Sequence, residues 1–302
     1  MRVISRNAIE AALDEGEAMA AIAAAFRALV EDRAQMIAIG HLAFEAFGGD
    51  CHVKGGHIAG DDVFVVKVAS GFYGNAARGL PSSQGFVAVM NAQTGETLAI
   101  LNDGGWLTDR RTALTGVLAA KAISRRGSKV LGVVGSGTQA RLQAEHIRRH
   151  LQLDEVLVWA RDPQKAATLG EAVSLPVLCA RADMIVTTTP STQALIDDAW
   201  VRPGTRIIAV GADAPGKQEL DPALFARSTV VADLPEQCAD HGESAHAVRA
   251  GIISLDRLLS LGAVLSAPPV FADDEIVIAD LTGLAVQDIA ITQSVWNRLK
   301  LQ

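Results

Sequence analysis

The sequence has 302 residues, of which 49% are hydrophobic, 4% aromatic and 20% charged, and its formal net charge is -7 at pH 7. This length can form one large domain or two, and the composition excludes a disordered chain and a disulfide scaffold. Without a basic block or a signal-peptide pattern, we expect a cytoplasmic protein whose partners are small molecules, neither nucleic acid nor membrane. The cysteines and the histidine pairs lack metal-ligand spacing, so no metal site is predicted.

The first third of the chain combines one long helix with short strands. Apolar residues at helical spacing predict an amphipathic helix over residues 8–32. Between residues 51 and 101, β-rich runs at 63–69, 85–90 and 97–101 are separated by turn signals. This pattern is typical of antiparallel strands.

Beyond Thr108 the pattern changes to strands that alternate with helices. Residues 113–123 predict a helix, and residues 129–134 predict an apolar strand that leads into Gly135. Further apolar strands are predicted at 156–159, 184–188, 207–210, 229–232 and 275–279. Uninterrupted Val/Ile runs between helices are typical of a parallel sheet covered on both faces.

The last predicted helix, residues 286–299, could return to the first half of the chain. We therefore predict an α/β protein with a Rossmann-type doubly wound parallel sheet over residues 114–288. The remaining residues, 1–113 with 289–302, are predicted to form a discontinuous α+β domain that binds the substrate.

A glycine-rich turn joins the first strand of the Rossmann half to the next helix. Gly135, Gly137 and Ala140 form a GxGxxA pattern that also contains Thr138 and Gln139. Gly135 permits the tight turn, Gly137 lets the backbone approach a pyrophosphate, and Ala140 allows close helix–strand packing. The turn therefore predicts a site for NAD or NADP, and the alternative is an ordinary strand–helix turn.

The end of the next strand bears on the choice of cofactor. NAD enzymes usually have an acidic residue there for the ribose hydroxyls, but this strand ends in Ala160 and Arg161. Arg161 could pair with a 2′-phosphate, which slightly favours NADP over NAD. The adjacent Asp162 weakens this inference, and Arg161 could equally be an ordinary surface residue.

Three other polar residues are candidate ligands or catalysts. Lys67 shares a strand face with apolar residues, so it should meet a carboxylate or line a cleft, unless its strand is a solvated edge. Arg111 can bind a carboxylate bidentately, or its segment can simply cap a helix. Asp213 follows the predicted strand 207–210, where it could act as a general acid or base, or only form a turn.

Several segments taken together resemble the ornithine cyclodeaminase/mu-crystallin family over nearly the whole chain. These are Lys67 with residues 79–82, and the segments 107–113, 131–140, 211–220 and 281–288. The resemblance implies a homodimer formed through the substrate-binding halves and a Rossmann half that binds NAD(P).

The resemblance also implies roles for individual residues. Lys67 and Arg111 would bind the substrate carboxylate, and Ser82 would line the same pocket. Asp213 would be the catalytic carboxylate, and Lys67 would also have a catalytic role. The resemblance further implies that Thr112, Thr189 and Gly283 lie near the cofactor.

Two features depart from the cyclodeaminase pattern. Ornithine cyclodeaminases have a further arginine upstream of the lysine strand, but between Arg33 and Lys54 the only basic residues here are His41 and His52. Lys54 could replace that arginine as a substrate ligand, or the substrate could differ. The NADP-like second strand is also unexpected for an enzyme that recycles one tightly held NAD.

The predicted function is hydride transfer at the α-carbon of an amino or imino acid. An ornithine cyclodeaminase, which forms proline and ammonia, ranks first because Asp213 is present. An NAD(P)H-dependent imino-acid (ketimine) reductase or amino-acid dehydrogenase is the alternative. A second alternative is a non-enzymatic NADPH-binding protein like mu-crystallin.

Overall fold

The computed structural model describes residues 1–300, apart from the side chains of Tyr73 and Ala76. Its strands, in chain order, are β1 (Arg2–Ser5), β2 (Ala34–Met36), β3 (Gly40–Phe44), β4 (Gly49–Ile58), β5 (Val63–Phe72), β6 (Ser83–Asn91), β7 (Thr97–Asn102), β8 (Val130–Val134), β9 (Glu155–Trp159), β10 (Glu171–Ala172), β11 (Met184–Thr187), β12 (Thr192–Ile196), β13 (Arg206–Ala209), β14 (Gln218–Leu220), β15 (Ser228–Ala232), β16 (Leu258–Ser260) and β17 (Ile276–Asp280). Its α-helices are α1 (Arg6–Ala12), α2 (Glu15–Val30), α3 (Trp106–Ile123), α4 (Thr138–Leu151), α5 (Pro163–Ala167), α6 (Leu175–Arg181), α7 (Pro235–His241), α8 (Ser244–Arg249), α9 (Leu261–Ser266) and α10 (Ala285–Leu299).

The chain forms two compact units. One contains Met1–Arg111 with Leu284–Gln302, and the other contains Thr112–Gly283. The sequence placed the second boundary after Asp288, whereas in the structure Asp288 belongs to the first unit, where its carboxylate pairs with Lys67 and Arg111. Within residues 1–300, no helix has the length and apolar character needed to cross a bilayer.

The first unit is built on a largely antiparallel sheet with the strand order β1-β7-β6-β5-β4-β2, and β3 pairs with the free part of β4. Only β1 and β7 pair in parallel within it. Helix α10 packs on α2 and on β4, so the last segment of the chain completes this unit. Alternation along β5 buries Val63, Val65 and Lys67 on one face of the sheet.

The single helix predicted over residues 8–32 is wrong, because the structure has two helices there. The chain is extended at Leu13, and Asp14 caps α2 by accepting a hydrogen bond from the Glu17 amide at 2.9 Å. A short acidic side chain that bonds to the local backbone competes with helix continuation, which explains the break.

The second unit contains a parallel sheet with the strand order β10-β9-β8-β11-β13-β17-β15-β16. Strands β11, β13 and β17 are buried along their whole length, as expected for a sheet covered on both faces. The chain order reverses between β8 and β11, and such a switch point is where open α/β sheets bind ligands at the carboxyl ends of their strands.

Candidate active site

A cavity of about 640 Å³ lies in the second unit at the carboxyl ends of β8, β9 and β11. Its lining residues are Gly135, Ser136, Gly137, Trp159, Ala160, Arg161, Asp162, Lys165, Thr188, Thr189, Pro190, Ser191 and Leu195. The glycine turn and the end of the second strand therefore line one cavity at the switch point of the sheet.

The two glycines of the turn have different physical reasons to be glycine. Gly135 has φ 126°, and a Cβ there would lie 2.5 Å from the Oγ1 of Thr188, so this position cannot accept a side chain without strain. Gly137 caps helix α4 with φ -81°, and a Cβ there would meet no atom within 4 Å. The space that a Gly137 side chain would fill is where a pyrophosphate can approach the helix N-terminus.

The cavity wall at the end of β9 is mainly basic. Arg161 and Lys165 both line it, and Asp162 is the only acid among its lining residues. The Oδ1 of Asp162 accepts hydrogen bonds from the Gln164 amide at 3.0 Å and the Lys165 amide at 3.3 Å, because Asp162 caps helix α5. This carboxylate is therefore engaged with its own helix, and the nearby charges suit an anionic group.

The other predicted cofactor residues occupy different places in the second unit. Thr189 lines the cavity, whereas Thr138, Gln139 and the buried Ala140 form the first turn of helix α4. The Thr112 carbonyl accepts a hydrogen bond from Gln143 at 3.1 Å. The Gly283 amide donates to a carboxyl oxygen of Asp233 at 2.8 Å.

A buried ionic cluster lies in the first unit and is formed by Lys67, Arg111 and Asp288. The Lys67 ammonium lies 2.8 Å from one carboxyl oxygen of Asp288, and the Nε of Arg111 lies 3.0 Å from the other. Thr108 accepts a hydrogen bond from Lys67 at 3.3 Å, and Gln287 accepts one from Arg111 at 2.8 Å. The cluster thus joins β5, α3 and α10.

The cluster is almost completely buried and contains several charges. The residues Lys67, Arg111 and Asp288 are only 4%, 6% and 2% exposed. Burial lowers the pKa of Lys67 to about 8, although Asp288 opposes the change. Burial alone would raise the pKa of Asp288, but the charges of Lys67, Arg111 and Lys54 hold it below its usual value. Lys54 adds a third cation, and the buried Asp103, which interacts with Lys67, adds a second carboxyl group. Three cations near two carboxylates leave one positive charge in excess, which a bound carboxylate could neutralise.

Lys54 lies directly opposite Lys67 in the pairing of β4 with β5, so both side chains project from the same face of the sheet. Its charge influences the pKa of both Lys67 and Asp288. Ser82 is exposed in the segment before β6, where its carbonyl accepts a hydrogen bond from the Phe72 amide at 2.8 Å. The register thus places Lys54 beside the ionic cluster. The hydrogen bond between Ser82 and Phe72 is formed by backbone atoms.

Asp213 follows β13 in the second unit, as predicted, but its surroundings are polar. The side chain is 52% exposed, and it pairs with Lys217 at 2.5 Å. A carboxylate in this setting is solvated and paired with a cation.

Two features of the first unit were not predicted from the sequence: the pairing of Asp288 with two cations, and a group of possible metal ligands. Asp288 belongs to the segment that carried the family resemblance, but nothing in its local pattern showed that its partner residues lie far away in sequence. His41, Asp50 and His52 of β3 and β4 bring their metal-ligand atoms within 4.8 Å of one another. This group is partly exposed and has fewer protein ligands than a structural zinc site, so it is only a cluster of suitable donors.

Fold and cavity together define an oxidoreductase that uses a dinucleotide cofactor, and comparison with known proteins specifies the family. The chain belongs to the ornithine cyclodeaminase/mu-crystallin family, whose sequence pattern matches residues 1–302. An alanine dehydrogenase of Archaeoglobus fulgidus is 33% identical over 307 residues, covering 98% of this chain and 94% of that protein.

Solved structures of family members agree with this assignment. Iminosuccinate reductase of Paracoccus denitrificans in complex with NAD+ is 33% identical with a TM-score of 0.91, covering 100% of this chain and 97% of that one. A lysine cyclodeaminase is 29% identical with a TM-score of 0.84, covering 100% of this chain and 93% of that one. The predicted fold, the use of NAD or NADP and the enzymatic nature of the protein are confirmed. The protein belongs to a family of NAD(P)-dependent enzymes of imino- and amino-acid chemistry.

The two glycines of the turn give a first test of the cofactor site. Gly137→Ala should weaken NADH binding at least tenfold, because a Cβ there hinders the approach of the pyrophosphate and loss of a hydrogen bond to a charged group costs roughly 1.5–3 kcal/mol. It should lower the free energy of unfolding by no more than about 1 kcal/mol, since the methyl group meets nothing in the free protein and only the preference for glycine at the N-cap is lost. Gly135→Ala should instead lower the free energy of unfolding by about 1–3 kcal/mol through backbone strain. Fluorescence titration measures the affinity, and thermal unfolding measures the stability. If Gly137→Ala bound NADH as tightly as the wild-type protein, the pyrophosphate would not bind at this turn.

The ionic cluster gives a second test. Asp288→Asn leaves two buried cations without their carboxylate, so the free energy of unfolding should fall by about 3–5 kcal/mol. Urea denaturation measures the change, and the control is Asp154→Asn, which breaks a solvated pair with Lys129 whose side chains are 67% and 60% exposed. Equal stability of both variants would show that the cluster is not a structural requirement of the first unit.

Proposed function

We propose that the protein catalyses net hydride transfer between NAD(P)H and the α-carbon of a small 2-imino acid, forming the amino acid, or the reverse oxidation. The observation that carries this proposal is the buried cluster of Lys67 and Arg111 around Asp288, with its excess positive charge. A 2-imino acid and its amino acid both have the α-carboxylate that such a cluster would bind.

The residues of the chain supply binding and proton control. Lys67 and Arg111 bind the substrate carboxylate, and the second cation prevents the Asp288 carboxylate from neutralising the site completely. A lysine with a pKa of about 8 can hold or release a proton near neutral pH, so Lys67 is also our candidate for proton exchange at the substrate nitrogen. The bound cofactor supplies or accepts the hydride.

Net oxidation or reduction is favoured over ornithine cyclodeamination by the setting of Asp213. Cyclodeamination needs an acid that handles protons while ammonia leaves, and a half-exposed carboxylate paired with Lys217 is poorly suited to this role. Cyclodeamination remains the second candidate, because Asp213 does follow β13 at the carboxyl end of the sheet. The similarity to a lysine cyclodeaminase supports the same candidate.

The basic wall at the end of β9 supports NADP(H) as the preferred cofactor. Arg161 and Lys165 can both bind a 2′-phosphate, while helix capping engages Asp162. A homodimer formed through the first unit is also part of the proposal. It is supported by the exposed apolar side chains Leu42, Phe44 and Phe47 in and after β3, and by the related alanine dehydrogenase, which is described as a dimer.

The reaction is tested with the purified protein. Pyruvate or oxaloacetate with ammonia, or pyrroline-2-carboxylate, should cause net oxidation of NADPH in step with amino-acid formation. Lys67→Met should lower kcat/KM for the active substrate by 100-fold or more, on the order of the 3 kcal/mol of a charged hydrogen bond. Absorbance at the nicotinamide band and amino-acid analysis measure both, and the solvated Lys129→Met is the control.

The same assay separates the two candidate reactions. Asp213→Asn should retain net imino-acid reduction, because the proposed reaction does not need this carboxylate. Formation of proline from ornithine without accumulation of NADH, abolished in Asp213→Asn, would overturn the proposal in favour of cyclodeamination.

Cofactor preference is tested by Arg161→Ala. The variant should raise the KM for NADPH about tenfold and leave the KM for NADH unchanged, since a charge-assisted hydrogen bond to phosphate is worth roughly 1.5–3 kcal/mol. Initial rates with both cofactors give the ratio, and Arg148→Ala, on the surface of helix α4, serves as the control. A parallel loss with both cofactors would assign Arg161 to a group that NADH and NADPH share.

A further inference from the structure

Four carboxyl groups of the second unit are almost completely buried, and none of them takes part in the proposed reaction. Glu219, Asp233, Glu243 and Asp280 are at most 1% exposed. Each accepts hydrogen bonds from backbone amides. Such groups are costly to bury, so their backbone partners indicate what they hold in place.

Glu219 is the member of this group that binds a residue lining the cofactor cavity. One of its carboxyl oxygens accepts the Thr189 amide at 2.6 Å, and the other accepts the Gly211 amide at 3.0 Å. Thr189 lines the cavity after β11, and Gly211 follows the neighbouring strand β13 on the way to Asp213. Glu219 thus connects two loops at the ligand-binding edge of the sheet.

The contact with Gly211 is close. A Cβ on Gly211 would collide with the Oε2 of Glu219 and with the Thr189 carbonyl. The three residues therefore form one tightly packed junction, in which a change at Glu219 must move at least one of the two loops.

This geometry favours an ionised carboxylate. Both oxygens of Glu219 accept backbone N–H groups, and a charged acceptor binds such donors more strongly than a neutral one. A protonated carboxyl group keeps some acceptor capacity but loses its charge, so protonation weakens both hydrogen bonds and with them the connection between the two loops.

The surroundings make that protonation accessible near neutral pH. Burial raises the pKa of Glu219 to about 7, against the hydrogen bonds from Thr187, Thr189 and Gly211. The charged group that faces it is Glu243, which accepts the Glu219 and Leu220 amides and whose own pKa is raised by burial and by Glu219. Asp280 accepts the Glu243 amide, and His246 contacts the Lys217 carbonyl close by in the chain.

We propose that Glu219 is a positioning residue whose carboxylate fixes the Thr189 loop of the cofactor cavity against the Gly211 loop, so that cofactor affinity falls when Glu219 takes up a proton. The proposal rests on the dinucleotide cavity and not on the choice between reduction and cyclodeamination. Binding of the cofactor alone tests it, so it can hold even where the proposed reaction fails.

The measurement is the dissociation constant of NADH for the whole protein between pH 6 and 9, by fluorescence titration. NADH is the probe because the 2′-phosphate of NADPH itself titrates near pH 6. If only the ionised form binds well, a pKa of about 7 leaves roughly one tenth of the protein competent at pH 6. Affinity at pH 6 should therefore be about tenfold weaker than at pH 8.

Two variants distinguish positioning from a general structural role. Glu219→Gln keeps the size of the side chain but faces one amide with a donor, so its affinity should be weak and independent of pH. Asp183→Asn is the matched control, because Asp183 also accepts two backbone amides, those of Lys129 and Val130, but at the opposite ends of β8 and β11. It should keep the wild-type pH profile.

Each outcome decides the proposal. A flat profile in the wild-type protein would overturn it, and this result does not depend on whether any variant folds. An unchanged pH dependence in folded Glu219→Gln would also overturn it. A flat profile in both Glu219→Gln and Asp183→Asn would assign the effect to general loosening of the unit.

Discussion

The structure of the first unit depends on the carboxylate of Asp288, which lies between two buried cations. Each charge would be costly to bury alone, and the pairs Lys67–Asp288 and Arg111–Asp288 compensate one another. The partners are far apart in sequence, so the cluster attaches the last helix of the chain to the sheet formed near its beginning. The cluster thus adds to the packing of α10 on α2 and β4, which completes the discontinuous unit. In the proposed reaction, the remaining positive charge binds the substrate carboxylate.

The second unit also depends on buried carboxylates, which lie at the edge of its sheet. Strands as apolar as β11 and β13 can be buried completely, but the loops that follow them expose backbone amides beside the cofactor cavity. The buried carboxylate of Glu219 accepts the amides of Thr189 and Gly211 in these loops. In a similar way Asp233 accepts the Gly283 amide after β17. Cofactor binding as we propose it depends on glycines that leave space for it and on an acid that holds the surrounding loops.

Much of this was predictable from the sequence, for identifiable reasons. The long Val/Ile runs and the turn at Gly135 have strong local patterns, so the parallel sheet and the cofactor turn followed directly. Strand β3, which is exposed on both faces, and β14, which has three residues, lack such patterns and were not predicted. The partners of Asp288 and Glu219 are set by tertiary contacts, which one sequence does not reveal. The exposure of Asp213 is likewise set by tertiary structure, and its role as the catalytic acid stays a prediction.

In the proposed reduction, the hydride passes from the nicotinamide to the α-carbon of the substrate and remains on that carbon in the product. The most direct measurement uses NADPH deuterated at both C4 positions, with the imino acid that the protein reduces, and mass spectrometry of the amino acid formed. We expect one deuterium at the α-carbon for each NADP+ produced. An amino acid that forms without deuterium, or turnover without net formation of NADP+, would contradict this account.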